Sequence, residues 1–279
     1  MKLHVIHTGF LKLDGGAMFG VVPKVLWQKT NPADENNLCT WAMRCLLVEE
    51  GTRLVLVDCG IGDKQSEKFF SHYYLHGDQS LKSSIESAGF GMDEITDVFL
   101  THLHFDHCGG ALVRSGEDHI APTFKNARYW SNRDHWQWAT APNPREKASF
   151  LKENIIPIEE SGQLKWIDLE ADSWDIFDII TVDGHTDKQM LPKIRYKEHT
   201  LVYVADLLPS RGHVPLPYLM AYDTRPLLTF REKQAFLQKA ADEGYVLFFE
   251  HDPEAECCTL KHTEKGVRVD QVFPLKELL

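Results

Sequence analysis

The segment Thr101-His102-Leu103-His104-Phe105-Asp106-His107-Cys108-Gly109-Gly110 holds three histidines and an aspartate within six residues. A buried imidazole or carboxylate is costly unless it finds a partner, so a cluster this dense is a poor choice for a core. Imidazole nitrogen and carboxylate oxygen are the donors that suit zinc and similar divalent ions. Alternation puts His102 and His104 on one side of an extended stretch. Asp106 and His107, past a turn, can face a second ion. Gly109 and Gly110 allow close backbone approach where the next helix starts.

A solvated histidine-rich loop would explain this segment alone, but not the residues matched to it elsewhere. An apolar, strand-like run also ends at Asp58 (after Leu54-Val55-Leu56-Val57), at His185, at Asp206 and at His251. Strand ends along one edge of a sheet are where side chains from distant parts of a chain converge. His185 and His251 extend the ligand set, and Asp206 supplies a carboxylate to bridge two ions. Asp58 is suited to orient a ligand histidine or the reactive water from outside the ligand set. Two ions about 3.5–4 Å apart lower the pKa of a shared water and polarise a carbonyl or phosphoryl oxygen. Asp106 is then the candidate to carry a proton to the leaving group. No G-x-S-x-G, P-loop or G-x-G-x-x-G pattern competes for the chemistry.

The elements that must position these residues alternate along the chain. Residues 44–49 and 53–58 form a hairpin pattern around Glu50-Gly51-Thr52. Helical spacing at Leu81, Ile85 and Ala88 stops at Gly89, and Val98-Phe99-Leu100 is a short buried strand. A strand is expected over 128–131, and helices over 133–140 and 146–155. Strands over 176–182, 201–205 and 245–249, a helix over 229–243 and a final hairpin over 259–273 follow. Hairpins mixed with crossovers argue against a purely parallel sheet. The order fits α/β (α+β) architecture, with two sheets covered by helices.

Bulk properties bound the alternatives. With 279 residues, 43% hydrophobic, and no linker-like tract, a single domain over 1–279 is expected. No signal-like or membrane-spanning run is present, and six cysteines without C-x-x-C spacing suit reduced core thiols, so a cytoplasmic, non-membrane protein is expected. The adjacent Cys257-Cys258 is the one candidate for thiol redox chemistry. A net charge of −11, with scattered basic residues, argues against nucleic acid as a partner.

Taken in order, the strand-end Asp58, the H-x-H-x-D-H segment, Gly184-His185-Thr186, Asp206 and His251 resemble the metallo-β-lactamase superfamily. Asp14-Gly15-Gly16-Ala17-Met18-Phe19-Gly20-Val21-Val22-Pro23-Lys24 and Met220-Ala221-Tyr222-Asp223 further resemble its quorum-quenching N-acyl-homoserine lactonase-like branch, which is similar to the methyl parathion hydrolases. The resemblance implies a four-layer αββα sandwich with two metal ions at one edge of the paired sheets. It implies that His102, His104 and His185 hold one ion and that Asp106, His107 and His251 hold the other, with Asp206 bridging. Zinc is the expected metal, with iron and manganese left open. Two positions depart from the family pattern. The turn after His185 reads Thr186-Asp187-Lys188-Gln189, and Pro209 stands where lactonases carry a tyrosine that contacts substrate.

Phe19, Trp27, Tyr218 and Tyr222 are candidates to wall an apolar substrate pocket, with core or dimer-interface packing as the alternative and a homodimer left open. The expected reaction is hydrolysis of a small-molecule lactone or other carboxylic ester. A phosphotriesterase-like or phosphodiesterase-like hydrolase is the nearest alternative, and an iron-dependent redox protein is a more distant one.

Overall fold

The computed structural model describes residues 1–116, 119–171 and 173–278. The chain divides into two compact units, residues 1–9 with 43–174 and residues 10–42 with 175–279.

In the first unit the sheet strands run in the order Lys2–Asp14, Leu38–Glu50, Arg53–Val57, Asp97–Phe99, Arg128–Ser131 and Leu164–Trp166; of the first two, residues 2–9 and 43–50 belong to this unit. The hairpin closes at Gly51, whose φ of 58° is one that glycine adopts without steric cost, and pairs Glu50 with Arg53. The next three pairings are parallel, with Val57 beside Phe99 and Phe99 beside Trp130. Parallel strands in register end at the same edge. That edge therefore receives Asp58, the Thr101–His107 segment and the Asn132–His135 turn. One buried cluster, including Ile6, Leu47, Leu56, Val98, Leu100, Phe124 and Tyr129, packs beneath them.

Asp97 ties this sheet together. Its fully buried carboxylate accepts from Arg53 Nε (2.9 Å), Trp130 Nε1 (2.7 Å) and Thr96 Oγ1 (2.8 Å), and lies 3.0 Å from the Arg128 guanidinium. Burial would push its pKa up, but the hydrogen bonds from Arg53, Trp130 and Thr96 outweigh that and hold it below the ordinary carboxylate value.

In the second unit the sheet strands run in the order Gly266–Phe273, Cys257–Thr263, Val246–Phe248, His199–Tyr203, Gln189–Tyr196 and Phe177–Val182. Tyr203 and Phe248 are parallel neighbours, and two successive antiparallel pairings bring Phe177–Val182 into the same direction. All three strands end at one edge, which receives His185, Asp206 and His251. Helix Pro226–Asp242 starts with proline at its first turn, where the missing N–H costs nothing, and buries Thr229, Lys233, Phe236, Leu237 and Ala240 along one face.

The helix expected over 146–155 lies instead at Lys152–Glu160 and carries Pro157 inside it. Residues 144–149 form turns, because Asn143 Oδ1 takes the Arg145 and Glu146 amides and the Glu146 carboxylate is held by Trp138 and Asn143 side chains. Among the described residues, no helix is long and apolar enough to cross a membrane.

Asp97→Asn leaves two guanidinium groups without their buried counter-charge and should cost about 3 kcal/mol at pH 7. A depressed carboxylate stabilises the fold above its unfolded pKa, and that contribution is lost as pH falls through the lower folded value. Urea unfolding should therefore show the full difference between the two proteins above about pH 4, fading below it.

Candidate metal centre

In the first unit, Asp58 leaves its strand with φ of 56°, a left-handed conformation that costs a non-glycine residue about 1 kcal/mol or more. The strain is held by what the carboxylate does. Asp58 is fully buried, accepts from Thr101 N (2.8 Å) and Thr101 Oγ1 (2.6 Å), and lies 3.2 Å from His107 Nδ1. His102 places Nδ1 3.1 Å from Thr101 Oγ1 and Nε2 3.1 Å from His104 Nδ1. His104 Nε2 in turn is 3.1 Å from Glu146 Oε1. The buried Glu146 is fixed by Trp138 Nε1 (2.7 Å) and Asn143 Nδ2 (3.1 Å). Asp106, partly exposed, has a carboxylate oxygen 3.8 Å from His107 Nε2.

A backbone clamp holds this segment in place. Cys59 N donates to His107 O (2.7 Å) and Gly110 N to Gly60 O (2.9 Å). A Cβ on Gly109 or Gly110 would collide with the carbonyl oxygens of Ile61 and Cys59, so the expected close approach is between two loops. The buried Lys64 ammonium adds a hydrogen bond to Gly109 O.

In the second unit, the two oxygens of Asp206 face two different histidines, Oδ2 at 3.0 Å from His185 Nε2 and Oδ1 at 3.1 Å from His251 Nε2. His185 Nδ1 is 3.1 Å from Asp223 Oδ1, and His251 Nδ1 is 2.7 Å from the carbonyl oxygen of Ala42. Ala205, just before Asp206, has φ of 38°, a second strained residue beside a candidate ligand. Burial pushes the His185 pKa down, but Asp206 and Asp223 on its two nitrogens outweigh this and raise it to about 10. The spot favours positive charge.

The altered turn after His185 is rebuilt with other partners. Lys188, at φ of 54°, donates its amide and its ammonium to Asp183, at 2.9 and 3.1 Å. Arg225 bonds Asp187 (2.9 Å) and Asp183 O (2.6 Å), while Glu232 takes the Asp183 and Gly184 amides at 2.8 and 2.9 Å. Pro209 O accepts from His251 N at 3.2 Å, a backbone role that any residue could fill.

Each of the five histidines thus offers one ring nitrogen to a hydroxyl, carboxylate or carbonyl oxygen and the opposite nitrogen to other ligand-type atoms, which is how an outer partner fixes a metal-binding tautomer. His102 with His104, Asp106 with His107, and His185 with Asp206 each bring ligand atoms within 4.8 Å of one another, in His/Asp clusters able to hold metal ions.

The sequence profile of the metallo-beta-lactamase superfamily matches residues 44–251, a span that contains all these clusters. The chain belongs to the metallo-beta-lactamase superfamily. A probable metal-dependent hydrolase from Staphylococcus aureus matches with a TM-score of 0.86 at 26% identity, over 98% of this chain and 96% of that one. AidC, a dizinc quorum-quenching lactonase, matches with a TM-score of 0.78 at 22% identity, over 98% and 97%. An N-acyl homoserine lactone hydrolase, with N-hexanoyl-L-homoserine bound at its catalytic metal centre, matches with a TM-score of 0.69 at 20% identity, over 91% and 94%. The last two likenesses show the shared fold, an α/β sandwich. The transcription termination factor FttA of Methanocaldococcus jannaschii is 33% identical over 76 residues, which are 26% of this chain and 10% of that protein. The chain thus matches about a tenth of that relative's length.

The aromatic candidates separate into two kinds. Phe19 and Trp27 are at most 1% exposed, and Phe19 is stacked between Trp27 (5.2 Å) and His213 (4.4 Å). Rings without an accessible face cannot wall an open pocket, so in this structure both are core. Burial lowers the His213 pKa to about 3 and keeps that ring a neutral member of the stack. Tyr218 is half-buried against Phe19 (6.3 Å), and Tyr222 is exposed. Sequence reasoning missed Glu146, Asp223 as the partner of His185, and Tyr73. Tyr73 packs on Phe105 (4.8 Å), and burial together with the charge of Asp106 raises its hydroxyl to about 12, leaving it a neutral donor.

Glu146→Ala removes the acceptor that fixes His104. It should weaken metal binding by about 10–100-fold, measured by competition with a chelator, and leave the overall fold intact by circular dichroism.

Proposed function

We propose that residues 1–279 form one catalytic domain, a dinuclear metallohydrolase that opens a lactone or cleaves another carboxylic ester. The observation that carries the reading is Asp206, a buried carboxylate whose two oxygens address two different histidines, as a carboxylate shared between two ions would. In this reading His102, His104 and His185 hold one ion and Asp106, His107 and His251 the other, with Asp206 common to both. Nitrogen and oxygen donors without thiolate suit zinc, with iron and manganese as alternatives. Two such ions supply an activated water and an electrophile at neutral pH without a general-base side chain.

The chain's own residues do the rest. Asp58 holds the His107 ring through Nδ1, Glu146 holds His104 and Asp223 holds His185. Asp106 retains the solvent access needed to pass a proton to the leaving oxygen. A net charge of −11 disfavours approach of a highly charged anion. A neutral ester or lactone avoids that repulsion, and Tyr218 and Tyr222 are left as the aromatic residues to meet its apolar part. The lactonases among the fold relatives support this substrate class.

Metal analysis of the purified protein should find two ions per chain. His102→Ala and Asp206→Ala should each lower kcat/KM by about a hundredfold or more, a larger loss than removal of an outer partner. Alanine at the exposed His72 or His262 should have little effect. In a panel of lactones, aryl esters, phosphotriesters and phosphodiesters, the neutral carboxylic esters should lead the phosphodiesters by about tenfold or more in kcat/KM. One ion per chain, equal loss from His72→Ala, or a phosphodiester preference would each refute the corresponding part.

A further inference from the structure

Lys233 is fully buried on helix Pro226–Asp242, between Thr229 and Leu237 on the helix's inner face. Its ammonium donates to the carbonyl oxygens of Pro215 (3.0 Å) and Tyr218 (2.8 Å). Burial lowers its pKa to about 7, with Asp223 acting in the opposite direction. An ammonium in such a place is expensive, and an apolar side chain of similar length would pack there at less cost. Packing alone does not explain it.

The loop that Lys233 grips does two things. It carries Tyr218 and Tyr222, and it ends in Asp223, whose Oδ1 lies 3.1 Å from His185 Nδ1. Other contacts tether the loop as well, among them Tyr218 N to Pro215 O at 2.9 Å, Ala221 N to Ala17 O at 2.8 Å and Asp223 N to Met220 O at 3.3 Å. The Lys233 ammonium reaches the carbonyls at both ends of the 215–218 turn and is the buried side chain that ties this turn to helix Pro226–Asp242.

We propose that Lys233 is a positioning residue that sets the 215–223 loop, and through it both the orientation of the ligand His185 and the placement of Tyr218 toward substrate. The inference rests on the metallohydrolase reading for its catalytic consequence, but not for its structural one. In metal-free protein, Lys233 fixes Asp223 and hence the Nδ1 proton of His185. In loaded protein, the same contact sets the affinity of the ion that His185 binds and the KM for substrate.

The test uses the full chain with Lys233→Met, which keeps the length of the side chain, and Lys233→Gln, which keeps a donor but not the charge. In the metal-free proteins, histidine 1H–15N spectra should show the His185 Nδ1 proton hydrogen-bonded in wild type, displaced in Lys233→Met and partly restored in Lys233→Gln. With zinc or cobalt, Lys233→Met should lower the affinity of one ion by about tenfold and alter the visible spectrum of the cobalt form. KM should rise more than kcat falls, and Lys233→Gln should recover part of the KM. If a folded variant keeps the His185 signal, the cobalt spectrum and KM of wild type, the proposal is wrong. If Lys233→Met does not fold, Lys233→Gln decides between the same two outcomes. If wild type binds no metal, the hydrolase reading fails while the spectra of the metal-free proteins still decide the role of Lys233.

Discussion

An imidazole has two nitrogens and, when neutral, one proton, so it can address a cation from one side only if something on the other side accepts that proton. Much of this chain's architecture answers that requirement five times over. The acceptors are of different kinds, namely a hydroxyl (Thr101), three carboxylates (Asp58, Glu146 and Asp223) and a main-chain carbonyl (Ala42). Each is itself fixed by the fold. Asp58 is bound by the Thr101 amide, Glu146 by an indole and an amide side chain, and Ala42 by its own amide, which donates to the His251 carbonyl oxygen. Local strain at Asp58 and Ala205 is consistent with a chain bent to suit the site rather than its own torsional preferences.

Both sheets use the same device. Strands that run in one direction deliver their carboxyl-terminal residues to one edge, so short strands of three to six residues suffice to bring together side chains far apart in sequence. The opposite end of the first sheet carries Asp97, a buried carboxylate met by one partly buried and one exposed arginine, which serves the fold. The glycine-lined approach of Gly60 to Gly110 lets the histidine segment lie directly against the loop after Asp58 without side chains between them.

How much of this can be read from the residues depends on how tightly chemistry constrains each one. The ligand-type residues stand out because a metal demands specific atoms, and because three histidines beside an aspartate have little other use. The α/β class and most strand positions follow from apolar runs cut off by polar residues. Glu146 does not stand out, since a glutamate in a polar stretch has no periodicity that betrays burial. Its neighbourhood suggests a helix because apolar residues recur there, whereas side-chain hydrogen bonds from Asn143 and Trp138 favour turns. Lys233 looks like any helical lysine, because sequence does not say which face of a helix meets a loop. Phe19 and Trp27 mislead for the opposite reason. Aromatic residues near a recognisable motif invite a substrate role, and only the stack with His213 shows that their faces are already occupied.

All six thiols are buried and unpaired with one another. Burial raises Cys39 to about 11 and Cys108 to about 12, so hardly any thiolate exists at neutral pH, and thiolate is the form that alkylating and oxidising reagents attack. The native fold is in effect a thiol-silent scaffold. A cysteine placed at an exposed position such as Val21 or Leu227 would therefore be far more accessible to such reagents than the six buried natural thiols. A fluorophore, spin label or surface tether could be attached there without first removing the natural cysteines from the core.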